Sequence, residues 1–169
     1  MWTNLRLSSM SLGTTIQMKP TTRHTDTFCR LLTTIDLARV LDIESVAYQE
    51  PWSEKKFLDS LDNKNTLASV VLVGGEVVGY LITNLCVDYA DILNICIHPE
   101  HQRGGLGSLL WRHQIAKLKM HRISSVVLEV RDSNSAALSY YEKNGFKAID
   151  RRNKYYKNGE SAIIMRQFI

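Results

Sequence analysis

The spacing of apolar positions changes along the chain, and each change marks an element. Residues 1 to about 27 keep no period. A short apolar run from Cys29 to Thr33 predicts a first strand. Thr34 stands as a helix cap, and Leu37, Val40, Leu41, Ile43 and Ala47 mark the inner side of a helix running to about Gln49, stopped by Pro51. Ser53 caps a second, short helix with Phe57, Leu58 and Leu61 inward. After the turn at Asn63-Lys64-Asn65, Thr66–Val73 and Glu76–Cys86 read as strands joined by the hairpin pair Gly74-Gly75. Asp91 to Ile97 is the next strand. A glycine-rich loop follows, then a helix from near Leu106 to about His121 with Gly107, Leu110, Trp111, Ile115 and Leu118 on one face. Gln114 interrupts that stripe. Ser124 to Val130 is apolar on both faces, as a central strand covered by helices is. Asp132-Ser133-Asn134 caps a helix to about Asn144, closed by Gly145. Phe146–Tyr156 and Ser161–Phe168 are the last strands, joined at Lys157-Asn158-Gly159.

The order β-α-α-β-β-β-α-β-α-β-β predicts an α/β fold: one domain over residues 28–169, a central mixed sheet with helices on both faces. At 169 residues, with 44% hydrophobic and 22% charged residues, the composition is that of a soluble globular protein. No apolar run approaches the ~20 residues of a membrane span. Residues 1–27 are rich in Thr and Ser, lack the apolar core of a secretory signal, and are expected to be a disordered or over-annotated extension. The three cysteines, Cys29, Cys86 and Cys96, form neither a disulfide framework nor a zinc pattern, which points to a reducing, cytoplasmic setting. His98-x-x-His101 lacks a third ligand, so no metal is expected.

The net charge of +4 is small. The cluster Lys147, Arg151, Arg152, Lys154 and Lys157 either faces a polyanion or is a solvated strand and turn. Without an arginine-rich run or an aromatic RNA platform, no direct nucleic-acid or membrane binding is expected.

Candidate chemistry gathers after the strand ending at Ile97. In Gln102-Arg103-Gly104-Gly105-Leu106-Gly107-Ser108, strand, glycine turn and helix point backbone N–H groups at an anion. The loop has no Gly-Lys-Ser/Thr ending and no G-x-G-x-x-G spacing, which removes the Walker and dinucleotide readings. It fits Q/R-x-x-G-x-G/A through Gln102, Gly105 and Gly107. Glu129 lies near the C-terminal end of a central strand, where open α/β sheets place ligands, and burial there would raise its pKa toward that of a general base. A rim carboxylate paired with Arg131 or Lys147 is the other reading. Tyr141, beside Tyr140, offers a phenol to a leaving thiolate, or is a core aromatic.

The loop resembles the acyl-CoA pyrophosphate loop of the Gcn5-related N-acetyltransferases (GNAT). Further segments narrow the likeness: Glu129-Val130-Arg131-Asp132-Ser133-Asn134, Tyr141-Glu142-Lys143-Asn144-Gly145-Phe146, Pro51-Trp52-Ser53, Arg151-Arg152-Asn153-Lys154-Tyr155-Tyr156 as Arg-x-x-Tyr-Tyr, and Ala162-Ile163-Ile164-Met165. Over about residues 30–169 the chain resembles the bacterial ribosomal-protein alanine N-acetyltransferases.

That resemblance implies acetyl-CoA as co-substrate and the N-terminal alanine of the eighteenth small-subunit ribosomal protein as acceptor. It implies Glu129 as proton acceptor and Tyr141 as proton donor. Ile95, Cys96 and Ile97 would hold the pantetheine arm through their backbones, Arg103, Gly104, Gly105, Leu106, Gly107 and Ser108 the pyrophosphate, and Asn134 the cofactor near its reactive end. Trp52, Tyr155 and Tyr156 would wall the peptide entrance. Gly104 stands where the family usually has arginine, leaving Arg103 alone to supply side-chain charge. Two further readings keep part of this picture: an N-acetyltransferase for lysines, other N-termini or small amines, and a non-catalytic acyl-CoA-binding or ribosome-associated module.

Overall fold

The computed structural model describes residues 26–169. The expected N-terminal extension thus lies outside the described residues except for its last two. Seven strands form one sheet: β1 (Thr27–Leu31), β2 (Thr66–Val73), β3 (Glu76–Leu85), β4 (Tyr89–Ile97), β5 (Ser125–Arg131), β6 (Lys147–Arg152) and β7 (Ala162–Phe168). Four helices pack on it: α1 (Leu37–Ala47), α2 (Glu54–Asp62), α3 (Leu106–Met120) and α4 (Ser135–Lys143). The sheet order is β1-β2-β3-β4-β5-β7-β6, antiparallel except for the parallel pair β4–β5.

Local chemistry accounts for most boundaries. Gly74 and Gly75 both take positive φ, 60° and 88°, as a tight β2–β3 hairpin requires. Ser53 Oγ caps α2 by accepting from the Lys56 N–H at 3.3 Å. The Asn134 side chain caps α4 by accepting from the Ala137 N–H at 3.1 Å. Several boundaries depart from expectation: β1 lies two residues earlier than Cys29 to Thr33, β4 starts at Tyr89 instead of Asp91, and two further departures have a local cause. A 3₁₀ turn, Thr34–Asp36, precedes α1, because the buried Asp36 carboxylate takes two bonds of 2.7 Å from Arg30 and one from the Thr33 N–H. Strand β6 ends at Arg152 instead of Tyr156, and Lys154 turns to φ +52°, so Tyr155 and Tyr156 belong to a loop.

Alternation along the strands supplies two cores. Val70, Leu72, Tyr80 and Ile82 pack with Val40, Ile43 and Phe57 of α1 and α2. Val71, Leu81, Val126, Leu128 and Met165 pack on the opposite face with Leu110, Trp111, Leu118 and Tyr141 of α3 and α4. Leu58, expected inward, is 41% exposed. Gln114, the polar break in the α3 stripe, is fully buried and satisfied. It accepts from Ser69 Oγ at 2.7 Å and donates to the Leu67 carbonyl at 3.0 Å and Thr83 Oγ1 at 2.7 Å. It ties α3 to β2 and β3.

The feature that makes a site is the parallel pair. Strands β4 and β5 pair over Tyr89↔Ser125, Ala90↔Val126 and Asp91↔Val127 and then separate. The β3–β4 register jumps beside this point, from Ile82↔Asn94 to Thr83↔Ile92, so Leu93 is an extra residue on β4. A bulge of this kind turns the strand. Beyond Asp91 both strands expose an inner edge.

Candidate active site

A cleft of about 830 Å³ lies between the separated strands, a size suited to a substantial organic ligand. Ile92–Ile97 line one wall and Leu128–Arg131 the other; the start of α3, the α4 tyrosines and the corner between α1 and α2 complete it.

The β4 wall has a definite polarity. The His98 N–H donates to the Val78 carbonyl at 2.8 Å. Backbone groups alternate along a strand, so those of Cys96 also turn toward β3 while those of Ile95 and Ile97 face the gap. Cys96 therefore leaves the set of backbone contacts expected from sequence; its side chain lines the cleft instead, and burial pushes its thiol up to about 12. The Ile97 carbonyl accepts from Gln102 Nε2 at 2.9 Å and the Ile95 carbonyl accepts from the Tyr48 hydroxyl at 2.7 Å.

At one end of the cleft the loop turns through Arg103 (φ +62°) and Gly105 (φ +81°) into α3. Gly105 is the N-cap, no side chain caps the helix, and its first turn carries no acid. The first intrahelical bond runs from the Leu109 N–H to the Gly105 carbonyl at 3.0 Å. The N–H groups before it, with the helix dipole, could cradle an anion. A Cβ at Gly104 would approach nothing nearer than 3.8 Å, so this glycine removes the family arginine's charge without any steric need for glycine. A Cβ at Gly107 would meet the Tyr140 ring at 3.1 Å. The missing side chain at Gly107 thus leaves room for the Tyr140 ring.

Glu129 and Tyr141 line the same cleft. Glu129 lines the cleft, but its side chain is 33% exposed and bonds Arg152 at 2.6 Å. Of the two readings left open for Glu129, the structure takes the paired carboxylate at the rim, with Arg152 as partner in place of Arg131 or Lys147. The reason is alternation: Leu128 and Val130 enter the core, and Glu129 faces the side of β5 that α1 and α2 leave uncovered. Arg151 is also paired, with Asp132 at 2.7 Å, so the basic cluster is partly neutralised. Tyr141 is buried and lines the cleft, and desolvation pushes its phenol up to about 12. Tyr140 lines the cleft too. Its buried hydroxyl has no hydrogen-bond partner among the described residues.

Asn134 borders the cleft with its carboxamide oxygen committed to capping α4. Trp52 and Tyr156 border it as well, Trp52 against Phe57 with ring centroids 5.3 Å apart and Tyr156 beneath the Arg131 guanidinium at 3.9 Å. Tyr155 does not. It is 45% exposed outside the cleft, where the Glu129 carboxylate beside its hydroxyl raises the phenol.

Two cleft residues were not anticipated. Glu44 is buried, and its carboxylate accepts from the Trp52 N–H at 2.8 Å, from the Tyr80 hydroxyl and from Asn94 Nδ2 at 3.2 Å. It stands four residues after Val40 and three before Ala47, on the buried stripe of α1. A carboxylate at that spacing was the available signal. Tyr48 carried no such signal.

A mixed sheet opened between two parallel strands, with an uncapped helix start, a carboxylate and a phenol on one cleft, has the parts that acyl transfer needs. The chain belongs to the acetyltransferase (GNAT) family, whose sequence model matches residues 37–146. It is 37% identical over 137 residues to the ribosomal protein bS18-alanine N-acetyltransferase of Escherichia coli K12, covering 79% of this chain and 92% of that protein. The crystal structure of the E. coli ribosomal-protein-S18-alanine N-acetyltransferase superposes with a TM-score of 0.79 at 36% identity, over 85% of this chain and 94% of the other. The fold is shared with the PaiA N-acetyltransferase of Thermoplasma acidophilum, solved in complex with coenzyme A (TM-score 0.72, 21% identity, 85% and 99% covered). The chain is an N-acetyltransferase of the GNAT type.

Proposed function

We propose that this enzyme acetylates the free α-amine of an N-terminal alanine, on the small-subunit ribosomal protein that its relatives are named for, with acetyl-CoA as donor. The observation that carries this reading is the gap between β4 and β5. It sets two outward-facing strand residues, an uncapped helix N-terminus, Glu129 and Tyr141 around one cleft. The Ile95 and Ile97 backbones fit an extended amide arm, which would lie along β4 as an added strand. The cradle from Arg103 to Ser108 fits a pyrophosphate, and the Asn134 amide group left over from capping fits the donor nearer its reactive end. When bound, acetyl-CoA supplies a thioester whose C–S bond breaks as the C–N bond to the amine forms.

Glu129 takes the proton lost by the attacking nitrogen, through a water. Tyr141 stays protonated through neutral pH and hydrogen-bonds the sulfur as negative charge builds on it. A β4 N–H polarises the carbonyl oxygen. Trp52 and Tyr156 flank the peptide. Magnitudes favour the α-amine. With a pKa near 8, about a tenth of it is neutral at pH 7, against roughly four in ten thousand for a lysine near 10.4. A rim carboxylate acting through water meets the smaller demand.

The test is mass spectrometry after incubation with acetyl-CoA and three acceptors: a peptide with free N-terminal alanine, a blocked peptide bearing lysine, and spermidine. Acetylation of the free alanine alone is expected. Modification of the blocked peptide or of spermidine at comparable rate would overturn the acceptor assignment.

A further inference from the structure

The corner between α1 and α2 carries a residue that the mechanism above leaves unused. Tyr48 follows α1 directly, and its N–H is fixed by the Glu44 carbonyl at 3.1 Å. Its ring is 40% exposed, yet its hydroxyl end reaches into the cleft and donates to the Ile95 carbonyl at 2.7 Å. Burial, with Cys96, Tyr141 and Glu44 nearby, raises the phenol, so the hydroxyl keeps its proton and the bond to Ile95. Tyr48 thus stands where the opened β4 edge faces Tyr141 across the gap, on the same corner as Trp52.

A phenol that donates its one hydrogen retains lone pairs. An attacking amine must aim its own lone pair at the carbonyl carbon, so its N–H bonds need acceptors on the walls around it. The water that Glu129 holds supplies one from the β5 side. On the β4 side the Ile95 carbonyl is already engaged, and the Tyr48 oxygen is the acceptor held over it. The Glu44 hub keeps this corner in place, because the same residue fixes the Tyr48 N–H through its carbonyl and the Trp52 N–H through its carboxylate.

We propose that Tyr48 is an acceptor-orienting residue: its hydroxyl, anchored on the Ile95 carbonyl, accepts an N–H of the incoming amine opposite Glu129 and turns the nitrogen lone pair toward the thioester. This rests on the N-acetyltransferase reading of the cleft. The role belongs to the acceptor and not to the donor, which separates it from the α3 cradle.

The test is steady-state kinetics of wild type and Tyr48→Phe with the alanine peptide, alongside binding of CoA and the slow hydrolysis of acetyl-CoA without peptide. The expected result is a 10- to 100-fold fall in kcat/KM for the peptide, with CoA affinity, hydrolysis and melting temperature unchanged. Tyr48→Leu should fall at least as far. An equal loss of CoA affinity, or peptide kinetics within twofold of wild type, would overturn the assignment while leaving the acetyltransferase reading intact. No peptide acetylation by wild type would overturn that reading and this assignment together.

Discussion

Glu129, Tyr141 and Cys96 share a cleft but differ in solvation, and their expected behaviour differs accordingly. Tyr141, pushed up to about 12, is a proton donor through the whole working range, so it should impose no alkaline fall in rate below about pH 11. Tyr141→Phe should lower kcat on the order of 10²-fold, read by pre-steady-state thioester cleavage; an unchanged rate would pass the role to Tyr140, whose hydroxyl lacks a partner among the described residues. Cys96, also near 12, would be thiolate in only about one part in ten thousand at pH 8. It should resist iodoacetamide in the folded protein and react after unfolding, as peptide mapping would show. Residue identity was readable from sequence where a motif carried it, as in the Glu129-to-Asn134 segment. Environment was not. A carboxylate in an apolar run looks buried until the strand's uncovered face is seen, and Glu44, whose spacing puts it on the inner stripe of α1, shows its partners Tyr80, Asn94 and Trp52 only in the fold.

Among the elements, the loop before α3 and the loop between β6 and β7 do the positioning. Gly105 at φ +81° has nothing near its missing Cβ, so Gly105→Ala should cost about 1 kcal/mol through backbone conformation alone. Gly107→Val should displace Tyr140 and weaken CoA binding, measured by calorimetry, because its side chain enters ring space. The β6–β7 loop is held by Glu160, which bonds Ser133 and pairs with Arg131 at 2.8 Å. These bonds, Ser133 first, hold its carboxyl at about 2, below its ordinary 4.5. A depressed carboxylate stabilises above its unfolded pKa, so this latch is complete above about pH 4.5 and is lost as pH falls toward 2. Glu160→Gln should raise the peptide KM by roughly 3- to 10-fold at neutral pH by freeing Tyr156. The hairpins and caps were legible because glycine pairs, Ser53 and Asn134 act locally. The end of β6 was not, since Tyr155 and Tyr156 suit a strand by propensity and leave it for contacts with Glu129 and Arg131.

In the whole molecule, two cores on opposite faces fix a sheet that opens along one seam. Gln114 bridges helix and sheet with every polar group satisfied; Gln114→Ala should cost on the order of 3 kcal/mol and lower the melting temperature by roughly 10 °C. The fold class, the layering and the family were legible from the order of elements and a few motifs. The seam was not, because no residue pattern states where two parallel strands stop pairing, and the Leu93 bulge beside it has no local mark. The proposed reaction depends on this seam bringing a base on β5 to an acyl donor held on β4. Kinetics of Glu129→Gln against the alanine peptide, with acetyl-CoA affinity measured in parallel, test it most directly. A fall in kcat on the order of 10²- to 10⁴-fold with unchanged acetyl-CoA affinity is the result the account requires. Turnover equal to wild type across pH would contradict it.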